Sequence, residues 1–470
     1  MSTITRRSFV KRSGAVGGGL VAAGPLGALA SGAAGQSSSV GYGALIDKGD
    51  IWLPPGFNYQ VISRQGDLMS DGQPTPGIFD GMGAFPGPND TTILIRNHEN
   101  RERAGEQKVV TSPNLEYNSA AFAGNTKLRV RRRGTSYRVV EDFAILGGTS
   151  TNCAGGLRGK NVWITCEEVV KRLEGKKHGY IFEIDARADG PVPAVPVTQA
   201  GRRAHEAALE SGGIVYMTED KSLQSDDVLG TIGASFYRYV PDELGPGTPL
   251  AITTGPLEAL KIVGEDHANM DTGRTLGEPY PVEWVPVPEP DHDDDSDNRR
   301  DRVAGFTPNR IQAQDNGAAY FDRQEGMWVG SDGAKIYFDC TTGGPDNLGQ
   351  VWEYDPGQET ITLIYESSDV ARLENPDNVV IVPQTGDVLL CEDSDGEQYV
   401  RGVTLDGEIY DFAKSGANET EFCGACFDPD GRTLYVNQQG QRGDLPGGPA
   451  DGRAVTYAIY GPFGKRSGAR

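Results

Sequence analysis

Lysine is scarce in this chain. Of 470 residues 44 are basic, only 13 of those are lysine, and 66 acidic residues outnumber them to leave a formal charge of −22. That balance excludes nucleic acid as a specific partner, because a phosphate backbone is bound through clustered cations. It suits a surface kept soluble in strong salt. Cysteine is scarcer still, at six, and Cys153 and Cys166 do not have the spacing of a zinc clip: they stand thirteen residues apart, where such a clip needs two to four and then a second pair. Cys166, Cys340 and Cys391 end apolar, strand-like runs and read as buried thiols. Cys423 and Cys426, in "CGAC", read equally as a redox or disulfide pair or as two more buried thiols. No convincing amphipathic helix longer than a few turns is present, which excludes a helical architecture. The 64 glycines, 29 prolines and 37% hydrophobic content instead predict many short strands and turns.

The N-terminus carries an address. "TRRSFVKR" places twin arginines before a weakly apolar, glycine-rich run that ends at the small-residue site Ala28-Leu29-Ala30. Residues 1–36 are expected to be a twin-arginine signal peptide. The run is too short, and too broken by glycine and Pro25, for a transmembrane helix. The twin-arginine translocase is then the export partner, the mature chain is extracellular or at the cell surface, and a monomer is expected. The remaining 41–470 are expected to be a single domain.

One pattern recurs along that domain: a turn, four or five apolar residues, then a polar cluster rich in acids. It appears as "PNDTTILIRNHE", "RGKNVWITCEE", "ESGGIVYMTED", "SDGAKIYFDC", "QTGDVLLCED" and "PDGRTLYVNQQ". Each copy follows a second short strand with its own polar cluster: "FDGMGAF", "TNCAGGL", "AHEAALE", "RQEGMWVG", "PDNVVIVP" and "FCGACFD". In four of the six hairpins the two clusters are fourteen residues apart, as from His205 to Glu219 or Asn378 to Glu392, and from Asn152 to Glu167 they are fifteen apart, so the hairpins read as one repeated unit. Third strands follow most of them, as in "YIFEID" and "QVWEYDP". The expected fold is all-β, a six-bladed β-propeller with long loop insertions such as Ala251 to Phe306. The acidic run "DHDDDSDN" lacks the glycine and glutamate of a calcium loop and is expected to be solvated.

Blade strands run outward from a central channel, so the polar clusters would converge near its axis. They deliver Asn97, His98, Glu99, Asn152, Cys153, Glu167, Glu168, His205, Glu206, Glu219, Asp220, Arg323, Glu325, Asp377, Asn378, Glu392 and Asp393. So many carboxylates cannot share one channel without cations. Carboxylate oxygens select calcium, and a thiolate selects a transition metal. Cys153, set among glycines, is a candidate ligand; Cys166 alternates to the opposite face from Glu167. His98 and His205 are either ligands or hydrogen-bonded structural residues. Arg323 either pairs with Glu325 or clamps an anion.

"RNHE", "GGTSTNCAGG" with "TCEE", "KKHGYIFEID", "AHEA" with "YMTED", "FDRQEG", "NPDN", "LLCED" and "GACFDPDGRTLYVN" occur in order from about Gly41 to Asn437. In these motifs the chain resembles the PhoX family of alkaline phosphatases. The resemblance implies a six-bladed propeller whose channel mouth holds Fe3+ and Ca2+, and hydrolysis of small-molecule phosphate monoesters. It implies that Cys153 bridges two irons, that Glu168, Glu206, Glu219, Glu325 and Glu392 supply carboxylates, that Asp377 helps hold calcium and that Arg323 binds the substrate phosphate. Asn97, His98, Asn152, His205, Asp220, Asn378 and Asp393 are further candidates around the metals. Two positions depart from the pattern: Gln324 stands where a proline is usual, and Cys423 where a small residue is usual. Two other functions fit the residues: a calcium-only propeller hydrolase (phosphodiesterase or lactonase) and a non-catalytic, calcium-stabilised binding propeller.

Overall fold

The computed structural model describes residues 40–245, 247–297, 300–416, 418–441 and 452–467. The export signal read at 1–36 lies outside them. The described chain is all-β in a propeller-like arrangement, with one α-helix, Asn309–Asp315, among the described residues.

The six expected hairpins form, as the strand pairs Phe79–Gly87 with Thr91–His98, Asn152–Arg158 with Val162–Glu167, and His205–Ser211 with Ile214–Glu219. Gln324–Val329 with Ile336–Cys340, Pro376–Ile381 with Val388–Glu392, and Phe422–Phe427 with Thr433–Gln438 complete the set. The first strand of each hairpin packs against the first strand of the next, and the sixth packs against the first, so the six inner strands close a ring. Closure is reinforced outside the ring. The early strand Asn58–Arg64 pairs with Val455–Tyr460 and so completes the sheet of the last hairpin. Six inner strands meet at the axis because their residues there are small. A Cβ added to Gly81 would lie 2.7 Å from the Ala154 Cα, and one added to Gly326 would lie 2.7 Å from the Asn378 Cα. Trp328 fills the axial space and packs against four of the hydrophobic clusters.

The expectation of six separate blades is corrected in one respect: among the described residues only four sheets have four or more strands. The second hairpin belongs to a three-stranded sheet. The third and fourth are fused into one nine-stranded sheet, because Pro279–Pro286 pairs both with Leu257–Ile262 and with the outer strand Thr360–Glu366. Those two strands lie inside the segment expected to be loop. They form because Leu257, Ala259, Leu260, Ile262 and Val282 bury on the neighbouring sheet, and because the prolines at 279 and 281 sit where the strand starts.

The acidic run is exposed at Asp291, Asp293 and Asp295, as expected, but buried at His292, Asp294 and Asp297. Asp291, Asp293 and Asp295 pair with Lys177, Arg172 and Arg202, and the buried Asp297 pairs with Lys221 and Arg310. The buried Arg202 guanidinium also donates to the carbonyls of His292 and Asp294. The run is therefore a strap fastened over the second and third hairpins. Its charge is answered by cations spread through the sequence, which a local reading cannot see.

Gly424, in the sixth inner strand, holds φ +58° with no room for a side chain: an added Cβ would lie 2.2 Å from the Asp80 carbonyl oxygen and 2.6 Å from the Asn437 amide nitrogen. Replacing it with alanine combines left-handed strain with a backbone clash across the closure of the ring. The expected cost is about 2 to 4 kcal/mol, read as a lowered thermal midpoint.

Candidate metal centre

Each inner strand carries a β-bulge at its start, one extra residue against its partner strand. The register slips between Phe79 and Met82, Asn152 and Gly155, His205 and Ala208, Gln324 and Met327, Pro376 and Asn378, and Cys423 and Cys426. A bulge breaks the alternation of faces and re-aims a side chain. The second residue of the six bulges is Asp80, Cys153, Glu206, Glu325, Asp377 and Gly424. Five equivalent positions thus present a carboxylate or a thiol, and the sixth presents none.

The lead-in to four of these strands is strained. Ile78, Thr151, Arg323 and Asn375, each immediately before its strand, adopt φ of 50–56°, a conformation that costs a side-chain-bearing residue of order 1 kcal/mol or more. The strain is held by one repeated hydrogen bond. The residue after each second strand donates its N–H to the lead-in carbonyl: Glu99 to Ile78, Glu168 to Thr151, Asp220 to Ala204, Thr341 to Arg323, Asp393 to Asn375 and Gln439 to Glu421. The lead-out side chains Glu99, Glu168, Asp220, Asp393 and Gln439 consequently gather in the layer of the bulge residues.

Three groups of donors result, each with its donor atoms within 4.8 Å of one another: Asp80, Glu99 and Cys153; Cys153, Glu168 and Glu206; Glu206, Glu325 and Asp377. Cys153 and Glu206 are each shared by two groups, so the three form one continuous chain. Burial, then the Glu99 and Asp377 carboxylates, push the Asp80 carboxyl well above its usual range. Burial, then Glu168, Asp377 and Asp80, do the same to Glu206. Glu325 is raised by burial and by Asp220, Glu206 and Asp377, and the Cys153 thiol by burial and by Asp80, Glu206 and Glu168. Glu206 Oε2 is buried with no hydrogen-bond partner. A buried carboxylate so placed is costly unless a cation meets it, and the arrangement fits metal ions.

The surrounding residues hold the donors in place. Asn97 is not a donor to the centre: its amide donates to the carbonyls of Cys153 and Ala154 at 2.6 and 2.7 Å and fixes the bulge that carries the thiol. Asn437 does the same for the Asp80 carbonyl and Thr218 for the Glu325 carbonyl. The Gln439 amide spans Asp80 Oδ2 and Glu99 Oε2 at 3.2 and 3.0 Å. Asn378 accepts from the Gly424 N–H, and Asn152 donates to Thr165. Asp393 bonds the half-buried Glu421 carboxyl, which desolvation and then Asp393 push well above its usual range. Arg323 donates to both Asp220 oxygens at 2.8 and 3.2 Å and to Glu325 Oε1 at 2.6 Å, with its side chain 17% exposed.

Several expected ligands stand elsewhere. Glu219 and Glu392 lie outside all three groups. Glu219 accepts from the Tyr237 hydroxyl and lies 3.6 Å from the buried Arg310. Glu392 pairs with Arg401 at 2.9 Å, with burial raising its carboxyl to about 7. Glu167 bonds His178 and the backbone N–H groups of Ser150, Gly179 and Tyr180. All three sit one residue before the lead-out position, and one step along a strand turns a side chain to the other face. His98 is buried between the Gly77 carbonyl and the Thr126 hydroxyl, and His205 bonds the Gly201 carbonyl. Burial and then a neighbouring arginine push both imidazoles well below their usual range; both ring nitrogens of His98 are hydrogen-bonded, whereas His205 Nδ1 is buried with no hydrogen-bond partner. All six cysteines are buried and free, and Cys423 donates to the Phe79 carbonyl at 3.0 Å.

A family model described as alkaline phosphatase PhoX matches residues 40–441. This chain belongs to the PhoX family. It is accordingly an alkaline phosphatase, a phosphomonoesterase. Among solved structures it is similar to Pseudomonas fluorescens PhoX in complex with vanadate, a transition state analogue, at 17% identity and a TM-score of 0.65, covering 92% of this chain and 100% of that one. It is also similar to a Dyadobacter fermentans protein of unknown function, at 12% identity and a TM-score of 0.43, over 87% of this chain and 100% of that one. A putative 6-phosphogluconolactonase from Bacteroides uniformis matches at 12% identity and a TM-score of 0.37, over 78% and 79%. No curated protein matches.

Proposed function

We propose that this phosphatase works at a mixed iron and calcium centre on the axis of a six-unit propeller, on small-molecule phosphate monoesters. One observation carries the reading: a thiol and carboxylates are donors in the same two overlapping groups. Thiolate favours iron, so the groups that share Cys153, with Asp80, Glu99, Glu168 and Glu206, would hold Fe3+. The all-carboxylate group of Glu206, Glu325 and Asp377 would hold Ca2+. Bound there, the ions supply Lewis acidity that neutralises charge building on the phosphoryl oxygens.

The chain's own residues do the rest. Arg323 presents a guanidinium fork beside Glu325, and Asp220 holds it in orientation through two hydrogen bonds. Such a fork matches two phosphoryl oxygens at once. Cys153 gives up its proton when the centre is loaded, so loading releases protons. Asn97 and Gln439 keep the donors fixed while the substrate exchanges. No side chain is assigned as a nucleophile. The six equivalent bulges support six propeller units despite the fused sheets. The sequence at 1–36 supports export in folded form by the twin-arginine route, and the acidic, lysine-poor composition supports a surface adapted to salt.

Hydrolysis of p-nitrophenyl phosphate at alkaline pH, with and without chelator, tests the function. Chelator-sensitive turnover is expected; absence of turnover from folded, metal-loaded protein sinks the reading, and full turnover without iron moves it to a calcium-only hydrolase. Arg323→Ala should lower kcat/KM by about 10- to 100-fold, the size of one charge-assisted anion contact, with metal content unchanged.

A further inference from the structure

Among the described residues two guanidinium groups pair with the lead-out and bulge carboxylates of the donor chain, and the function as read above uses one of them. The other is Arg101, two residues beyond the lead-out Glu99. Its Nη2 lies 2.5 Å from Glu99 Oε1 and 3.5 Å from Glu168 Oε2, and its backbone N–H is fixed by Glu106 Oε2. Arg101 bridges the lead-out carboxylates of the first and second hairpins, as Arg323 bridges the lead-out Asp220 of the third and the bulge Glu325 of the fourth. The two side chains are 22% and 17% exposed, so each sits at the boundary between the buried donors and solvent. They also mark opposite ends of the donor chain. Arg101 touches Glu99 and Glu168, from the first two groups, and Arg323 touches Glu325, from the third; Cys153 and Glu206 lie between.

The geometry points to Arg101 as a second anion-binding side chain that selects phosphate monoesters over diesters, a proposal that rests on the phosphatase reading of this centre. A monoester presents three terminal oxygens and close to two negative charges at alkaline pH. A diester presents two oxygens and one charge. A phosphoryl group seated over Cys153 and Glu206 has a guanidinium at either end. A group with three terminal oxygens can give two to one fork and still one to the other, whereas a diester, whose third oxygen carries a second ester group, has too few to serve one fork fully and reach the other. The Glu99 and Glu168 contacts hold the Arg101 fork at the edge of the centre before substrate arrives. With metal ions held by the same carboxylates, that hold would weaken and the fork would be left to the phosphate.

The test uses the full-length, metal-loaded protein with Arg101→Gln and Arg101→Lys. Three quantities are read: protection against thermal unfolding by inorganic phosphate, kcat and KM for p-nitrophenyl phosphate and bis(p-nitrophenyl) phosphate, and bound metal. For Arg101→Gln, affinity for inorganic phosphate should fall about 10- to 100-fold. KM for the monoester should rise by a similar factor with kcat less affected, KM for the diester should hardly change, and metal content should be that of the unmodified protein. Arg101→Lys should restore part of the phosphate affinity, since it keeps the charge and loses the fork. Unchanged phosphate affinity and an unchanged monoester-to-diester ratio overturn the proposal. So does a loss of bound metal that accounts for the loss of activity, because Arg101 then only supports the carboxylates. Phosphate protection needs no turnover, so it decides the role of Arg101 even if the protein hydrolyses no monoester, an outcome that would count against the phosphatase reading instead.

Discussion

Replacing Cys153 with alanine should cost at least about 100-fold in phosphomonoesterase turnover and remove iron from the purified protein. The thiol belongs to two of the three donor groups, so its loss opens both. The all-carboxylate group of Glu206, Glu325 and Asp377 does not contain it, and calcium should remain. Cys166→Ala is the matched control. Cys166 is just as buried, but it packs in a core with Ile164, Ile181 and Met217. That change should leave iron and turnover in place and lower stability by about 1 kcal/mol. Equal loss of iron in both variants would mean that the core, not the ligand, governs metal retention. The contrast is read by metal analysis and steady-state kinetics on the same preparations.

Stripping the metals should lower the thermal midpoint by about 10 °C or more at pH 8, since several ions bind the folded state alone. The size of the drop should depend on pH in a defined direction. Burial and mutual repulsion raise the folded-state carboxyls of Asp80, Glu206 and Glu325 above the values near 4 of an unfolded chain. The stripped folded state therefore binds more protons than the unfolded state, and its stability falls as pH rises above about 4. The loaded protein follows the opposite slope, because its ligands must be deprotonated to hold the ions. The gap between loaded and stripped midpoints should thus widen from pH 5 to pH 8. A constant gap would mean that these carboxyls are not the metal ligands.

The repeat was legible because turns, apolar runs and acidic clusters are local. All six hairpins form where the sequence places them, and "YIFEID" and "QVWEYDP" become the third strands Ile181–Asp185 and Gln350–Asp355. The fusion of the third and fourth sheets was not legible, since it depends on Pro279–Pro281 meeting Thr360–Thr362 about eighty residues away.

Within the site, the difficulty was a single residue of register. The fourteen-residue offset from His205 to Glu219 and the fifteen from Asn152 to Glu167 are true cross-strand pairs. The donors sit one place on, at Glu206, Cys153 and Glu168, because the bulge adds a residue that alternation cannot show. Glu219 and Glu392, which the resemblance implies as ligands, lie on the other side of that slip and outside the three groups. Asp80, Glu421, Gln439 and Arg101 were missed for related reasons. Asp80 could have been found by aligning the first strands on the small or amide residue after each bulge, which puts the second residues of "FDG", "NCA", "HEA", "QEG", "PDN" and "CGA" in one column. Arg101 had no such signal: it lies in a loop outside the repeat, and only the fold brings it to two carboxylates at once.

The most direct test of the converging-bulge centre is metal analysis of protein purified after export in folded form, with p-nitrophenyl phosphate turnover measured on the same sample through stepwise chelation. Iron and calcium should co-purify in fixed ratio to protein, and turnover should fall in step with their removal. Full turnover from protein holding neither metal would contradict the account.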